Sequence, residues 1–492
     1  MHYPNKKEFM GLAEQGNVIP VYRELLADLD TPISAFLKVD GGEYSYLLES
    51  VEGGENVARY SFLGSSPSLI ITSKGKEITF TVGGKEDTFH TEDPLKEVKK
   101  YMSKFKFVPV KGLPRFSGGL VGYLGYDMVR FIEELPDANP DTIEMPDMML
   151  MLTDTIIIFD HVDHKIKVVS NCLVENDDLS GTYEKACRNI DGIIKKLKTS
   201  VDAPVDVAVG GSDNTCDSNF TEEDFAVAVE KAKEYISAGD IIQVVLSQRI
   251  TRRTSAEPFL IYRALRSVNP SPYMYYVKAG NKRIIGTSPE ILIRCEDGEV
   301  TARPIAGTRK RSDDACRDAE LEKELLSDPK EKAEHIMLVD LGRNDVGRVC
   351  EYSSVKTKDL MSVEKYSHVM HMVSGVTGKL CEDRDVFDLL TATFPAGTVS
   401  GAPKVRAMEI IDELENLRRG PYAGCLGYIS FSGNMDMCIT IRTIVMSGAD
   451  AHIQAGAGIV LDSVPELEYK ETLNKAMAMM KAIEIAEGGL VC

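Results

Sequence analysis

The chain has 492 residues, 43% hydrophobic and 27% charged, a globular mixture with ample apolar material for a core. At about 150 residues per domain, that length allows roughly two to four domains or one large one. The net charge of −19 repels phosphate backbones and anionic lipid surfaces, so neither nucleic acid nor membrane is expected as a partner.

The first 200 residues alternate short strands and turns. Strands are predicted at Ser45–Ser50, Arg59–Leu63, Ser68–Thr72 and Glu77–Val82, with one long strand at Met149–Phe159. Helices are predicted at Pro94–Phe105 and Gly181–Leu197. In the run Phe116–Tyr126, Gly119, Gly122 and Gly125 stand among strand-forming residues. No lysine-bearing phosphate loop and no G-x-G-x-x-G opening a helix is present, so tight sheet packing is the expectation. Residues 201–219 hold four Asp, no Lys or Arg and no aromatic, the composition of a mobile linker. They divide the chain into an N-terminal region, residues 1–200, and a C-terminal region, residues 220–492. Thr221 then caps a helix running through Phe225–Ile236.

Beyond it, strands are predicted at Ile241–Thr251, Ile284–Gly286, Ile291–Cys295, Val369–Leu380, Leu426–Phe431, Met437–Val445 and His452–Val460. Helices are predicted at Pro258–Ser267, Asp318–Leu338, Val386–Thr393, Pro403–Leu417 and Pro465–Ala486. Several strands follow one another without a helix between them, which points to antiparallel pairing and an α+β layout. The ten cysteines are scattered without a C-x-x-C pair, so neither a disulfide framework nor a zinc site is expected. No apolar run follows the lysines of the N-terminus and no stretch of about 18 apolar residues occurs, so a cytoplasmic protein is the expectation.

Four features carry chemistry. Glu331 and Glu334 are three apart on one predicted helix, and Glu468, Glu471 and Lys475 share a face of another. Two facing carboxylate pairs suit Mg²⁺, although solvated helix faces are the commoner use of such spacing. The loop Phe394–Lys404 offers Gly397 and Gly401 for backbone freedom, the hydroxyls of Thr398 and Ser400, and Pro403 for a helix start. It reads equally as an anion site and as an ordinary capped turn. His371, three residues after His368, lies in a strand-like apolar run; it is either a hydrogen-bonded core residue or a proton carrier facing a cleft. Ala455-Gly456-Ala457-Gly458 lets backbone amides approach a ligand, or simply packs tightly in a sheet.

Longer motifs go further. Pro304–Arg309, Glu334–Arg348, Phe394–Lys404, Gly420–Gly424, Gln454–Gly458 and the closing Glu468-x-x-Glu-Thr-x-Asn-Lys475 occur in this order. Together they resemble the chorismate-utilising enzymes, most closely the anthranilate synthase component I family, densely over residues 220–485 and more loosely before. The resemblance implies a large α/β sandwich of two mostly antiparallel sheets flanked by helices. It implies Mg²⁺ held by Glu334 and Glu471, with Glu331 and Glu468 assisting directly or through water, against the ring carboxylate of chorismate. Glu290 matches the acid that protonates the departing C4 hydroxyl, and His371 the histidine associated with pyruvate elimination. Arg442, Tyr422 and the Gly458 amide match contacts to the enolpyruvyl carboxylate; Gly307, Thr398, Gly456 and Lys475 line the same site.

The nucleophile follows from two positions. Relatives that add water carry a lysine where this chain has Gln243, and aminodeoxychorismate synthases carry one where it has Ala306. With both lysines missing, ammonia is left to attack C2 and anthranilate to be the product. Cys425, in Ala-Gly-Cys-Leu-Gly, superficially resembles a glutaminase nucleophile, but only His452 follows it and no His-x-Glu pair does. A separate glutaminase subunit is therefore expected, in a hetero-oligomer. Glu49 and Ser50, with Pro272, Tyr273 and Met274, resemble the family's feedback site for L-tryptophan, which would join the two regions of the chain.

Overall fold

The computed structural model describes residues 1–50, 59–174, 178–201, 215–366 and 369–490. Two twelve-stranded sheets dominate it. The first runs from Val18–Leu26 at one edge through Lys165–Leu173, Thr155–Asp160, Tyr60–Ser65, Tyr44–Glu49, Tyr273–Ala279, Lys282–Ser288, Thr443–Ser447, Asp450–Ile459 and Gln243–Arg253 to Cys216–Ser218. The second runs from Ile305–Lys310 through Val369–Lys379, Glu299–Ala302, Ile291–Glu296, Met435–Ile439, Cys425–Ser430, Gly119–Leu124, Met148–Thr153, Leu69–Lys74 and Glu77–Val82 to Lys85–His90. Neighbouring strands pair antiparallel across both sheets, including the two junctions where early and late chain meet. There Tyr44–Glu49 lies beside Tyr273–Ala279, and Gly119–Leu124 beside Cys425–Ser430. Each sheet therefore draws strands from both halves of the sequence.

Apolar side chains from the facing surfaces interdigitate between the sheets, among them Tyr46, Phe62, Phe116, Tyr123, Met151, Ile158, Tyr275 and Tyr428. The ring of Phe116 stacks on Tyr428 at 4.1 Å. Helices cover the outer faces. Pro32–Val39, Leu179–Leu197, Pro258–Val268 and Pro465–Glu487 bury apolar stripes over the first sheet. Pro94–Met102, Pro329–Gly347 and Val386–Thr393 do so over the second. Among the described residues, no helix is long and apolar enough to cross a membrane.

Three elements predicted as continuous are broken. Met149–Phe159 is two strands, Met148–Thr153 and Thr155–Asp160, and the chain changes sheet at Asp154. Met437–Val445 is likewise Met435–Ile439 and Thr443–Ser447, in different sheets. Both pairs are buried almost throughout, and only Asp154 in one and Thr440, Ile441 and Arg442 in the other separate the strands, too short a break to mark an end. Asp318–Leu338 is two helices, Ala315–Ser327 and Pro329–Gly347, because Pro329 cannot continue the first and opens the second. Val18–Leu26 has no counterpart among the predicted strands; Pro20 argues against a strand, and the structure resolves the conflict by placing it at a sheet edge. Most of the segment 201–219 lies outside the described residues, and Cys216–Ser218 pairs with Gln243–Arg253.

The glycines of Phe116–Tyr126 do serve sheet packing. A Cβ on Gly122 would stand 1.9 Å from the Met149 carbonyl oxygen, and one on Gly427, its partner across the strands, 2.0 Å from that of Asp436. Gly122→Ala is accordingly expected to destabilise the protein by about 1–3 kcal/mol through forced backbone displacement. Thermal or urea unfolding of the variant checks this; an unchanged midpoint would show that the strands can separate without cost.

Candidate active site

Two helices bring the acidic residues to the site. Asp328 caps Pro329–Gly347 by accepting from the Lys330 and Glu331 amides, which sets Glu331 and Glu334 in the opening turns. Pro465 opens the helix Pro465–Glu487 just after the strand Asp450–Ile459, which sets Glu468 and Glu471 likewise. The Gln243 amide nitrogen donates to Glu334 at 3.0 Å, and Arg309 to Glu331 at 2.8 Å. Lys475 pairs with Glu471 at 2.7 Å and donates to the Gly456 carbonyl at 3.0 Å.

Burial raises the pKa of both Glu334 and Glu468, and Glu331 and Glu471 respectively add repulsion; Lys330 and Lys475 act against the rise in both cases. Gln243, which donates to Glu334, would meet a Cβ on Gly458, and Lys475, which pairs with Glu471, reaches the Gly456 carbonyl of the same strand, so the acidic faces of the two helices border one space. Among the described residues, no three His, Cys, Asp or Glu side chains stand together as a metal-holding group. The set is open and made of hard oxygen donors that repel one another. That chemistry fits a small divalent cation that keeps part of its water shell.

Glu290 sits where the chain leaves the first sheet after Lys282–Ser288 and enters the second at Ile291–Glu296. Burial pushes its pKa up to about 8, against the lesser pull of the Thr398 hydroxyl, the Ile305 amide and the Lys475 charge. It is thus a protonated carboxyl at neutral pH. Thr398 belongs to a single tight turn, Gly397–Val399, in which Ser400 donates its hydroxyl back to the Ala396 carbonyl at 2.9 Å. Of the loop's two hydroxyls, only that of Thr398 faces the site.

Arg442 lies at the return crossing, with φ +53°, and donates to the Lys475 carbonyl at 2.8 Å. Burial lowers its pKa, with Tyr422 and Glu471 opposing. Burial pushes the Tyr422 phenol up to about 12. A Cβ on Gly456 would come within 2.7 Å of the Tyr422 oxygen, and one on Gly458 within 2.4 Å of the Gln243 amide nitrogen. Gly307, at φ +72°, forms a bulge opposite Met372 and His371; a Cβ there would meet Glu331 at 2.9 Å. His371 places Nδ1 3.0 Å from the Thr308 hydroxyl and 3.3 Å from the Gly307 carbonyl, and burial lowers its pKa, leaving a neutral imidazole. His368 lies outside the described residues. Cys425 is buried in a strand with its thiol pushed up to about 12, far from a thiolate nucleophile.

Glu49, Ser50, Pro272, Tyr273 and Met274 meet in a separate cavity of about 320 Å³, because Glu49 pairs with Met274 across the strand junction. The Glu49 carboxylate is engaged by the Tyr262 hydroxyl at 2.6 Å and by Arg266 at 3.2 Å. The Ser50 hydroxyl oxygen is buried without a hydrogen-bond partner. Sequence reasoning missed the cavity's cationic side, where Arg294 meets Asp436 at 2.9 Å and Arg115 meets Glu296 at 3.0 Å. No local motif marks those residues. It also passed over Gln243 and Arg309 as partners of the carboxylates, although Arg309 closes the Pro304–Arg309 motif.

A sandwich of two large antiparallel sheets is the fold of the chorismate binding enzymes. The chain belongs to that family, whose sequence model matches residues 43–481. Within it the chain belongs with the anthranilate synthase component 1 proteins: it is 53% identical to one from Aquifex aeolicus over 483 residues, 98% of either chain. The crystal structure of anthranilate synthase component I from Streptococcus pneumoniae superposes with a TM-score of 0.76 at 38% identity, covering 92% of this chain and 98% of that one. A menaquinone-specific isochorismate synthase from Escherichia coli, 18% identical, shares the fold with a TM-score of 0.71 over 97% of this chain and 98% of its own.

The raised pKa of Glu290 has a consequence for stability. Its folded value of about 8 exceeds the ordinary 4.5, so the native state holds this proton more tightly than the unfolded chain. The stabilisation is full below about 4.5 and is lost as pH rises through about 8. Glu290→Gln should remove that loss. Urea unfolding at mildly acidic and mildly alkaline pH checks it, and equal pH dependence in the two proteins would contradict a protonated Glu290.

Proposed function

We propose that this chain is the chorismate-aminating component of an anthranilate synthase. In this reading it is a Mg²⁺-dependent, cytoplasmic lyase of tryptophan biosynthesis that receives ammonia from a glutaminase subunit in a hetero-oligomer and is inhibited by L-tryptophan. The observation that carries the amination is the state of the two discriminating positions. Ala306 presents only a buried methyl group, and the Gln243 amide is committed to Glu334 at 3.0 Å. Neither can activate water or form an adduct, so free ammonia is the nucleophile.

Glu334 and Glu471 would hold Mg²⁺, with Glu331 and Glu468 directly or through water. When bound, the ion neutralises the ring carboxylate and draws electrons from the ring. Arg442, Tyr422 and the Gly458 amide hold the enolpyruvyl carboxylate, while Gly307, Gly456 and Lys475 line the ring's position. Glu290 gives its proton to the C4 hydroxyl, which leaves as water while ammonia bonds to C2; Thr398 orients the acid. His371, neutral and tethered beside Gly307, takes the C2 proton as the C3–O bond breaks; that proton passes to the methylene carbon of the released enolpyruvate, giving pyruvate, while the added nitrogen returns a proton to Glu290. The ring is then aromatic. Chorismate and ammonia become anthranilate, pyruvate and water.

Purified chain given chorismate, Mg²⁺ and an ammonium salt should release anthranilate, whereas glutamine alone should give none without the partner subunit. Glu471→Ala should lower this turnover at least about a hundredfold, the scale on which loss of a metal-site group acts. Aminodeoxychorismate or isochorismate as product, read by chromatography, would replace this assignment.

The 320 Å³ cavity is the place for tryptophan, its amino acid end near Ser50 and its ring against Pro272 and Met274. The chain contains no tryptophan, so indole fluorescence reports the ligand without background. Titration should show saturable binding, and Ser50→Leu should weaken it about tenfold or more while turnover persists. Binding unaffected by Ser50→Leu would remove the ligand from this cavity.

A further inference from the structure

One buried ion pair behind the substrate site is used by none of the steps above. Arg419 is the largest side chain among those fully buried, and with Glu415 it forms a pair whose side chains are 1% and 3% exposed. Its Nε and Nη2 donate to the two Glu415 oxygens at 2.9 and 2.6 Å. Its Nη1 donates to the Val399 carbonyl at 2.7 Å, and Nη2 also to the Val245 carbonyl at 2.7 Å. The guanidinium lies 5.5 Å from the ring centre of Tyr422 and 4.8 Å from that of Tyr126. Glu415 in turn accepts from the Ser247 amide and hydroxyl, both at 2.8 Å.

Four of these partners are, or adjoin, residues of the site. Val399 follows Thr398, Val245 is two residues from Gln243, Ser247 pairs with Gly456 in the sheet, and Tyr422 is itself a site residue. The pair therefore ties together three elements: the turn Gly397–Val399, the strand Gln243–Arg253 and the segment that carries Tyr422. Stability alone gives little reason for such a pair, since desolvating two charges offsets most of their attraction and apolar replacements of similar size are commonly as stable. We propose that the Arg419–Glu415 pair is a positioning unit for chorismate binding, fixing the Tyr422 ring and the Thr398 turn against the strand that carries Gln243. This rests on the reading of Tyr422 as a substrate contact.

The test replaces the pair by apolar groups of similar volume, Arg419→Met with Glu415→Leu, and separately makes the isosteric change Glu415→Gln. In the double variant the midpoint of thermal unfolding should stay near that of the parent protein. The KM for chorismate should rise about tenfold or more, the scale of one lost charge-assisted hydrogen bond, with a smaller fractional change in kcat. Glu415→Gln should raise KM in the same direction by less, and it carries the test if the double variant does not fold. An unchanged KM in a folded variant overturns the proposal, as does a loss of kcat at constant KM. Tyr422→Ala separates the two readings. If it leaves KM unchanged, the substrate assignment itself fails; if it raises KM while the pair variants do not, only the positioning role fails.

Discussion

Two neighbouring passages of the chain from one sheet to the other organise this molecule. One runs through Ser288, Pro289 and Glu290; the other runs back through Thr440, Ile441 and Arg442. They are stitched together by the Ser288 hydroxyl on the Ile439 carbonyl at 2.6 Å, the Ile439 amide on the Glu290 carbonyl at 3.0 Å, and the Thr287 amide on the Arg442 carbonyl at 3.2 Å. A backbone leaving a sheet loses ladder partners and must find others, because unpaired buried amides are costly. Here each crossing supplies the other. As a result the acid and the arginine are fixed on rigid backbone at the seam of the sandwich, not on mobile surface loops.

Burial at that seam decides the charge states. A carboxyl deprived of water keeps its proton, while an imidazole or a guanidinium deprived of water holds its own less tightly. Glu290, His371 and Arg442 each follow this rule. Total charge gives no hint of it. In a chain of net charge −19, Lys330 and Lys475 stand near enough to Glu334 and Glu468, and Arg442 to Glu471, to oppose the local negative charge.

Much of the architecture was legible because it rests on local patterning. The helix starts at Pro94, Thr221, Pro258 and Pro465 followed from their Pro and Thr residues, and the close glycines of Gly119–Leu124 were recognisable as packing, not phosphate binding. What escaped were the corners at Asp154 and Arg442, where one to three residues separate two buried strands and so short a break carries no sign that the sheet has changed. The carboxylates showed the same division. Their spacing put each pair on a helix face, but only the longer motifs, through a resemblance, joined one pair to the other. The Arg115–Arg294–Asp436 wall of the second cavity had no local signature, since its members meet only once both sheets are assembled.

The second cavity is close to the chemistry in register, whatever its distance along the sequence. Tyr273, on its wall, pairs with Ser288 at the start of the crossing that carries Glu290. Cys438, on the same wall, precedes Ile439, which bonds both Ser288 and the Glu290 carbonyl. Arg294 and Asp436 extend that wall along the strands that leave Glu290 and approach Arg442. A displacement of that wall would therefore pull on the hydrogen bonds that hold the Glu290 backbone, because no long relay separates the two places. Because the core between the sheets is close-packed, such a displacement has few other directions in which to relax.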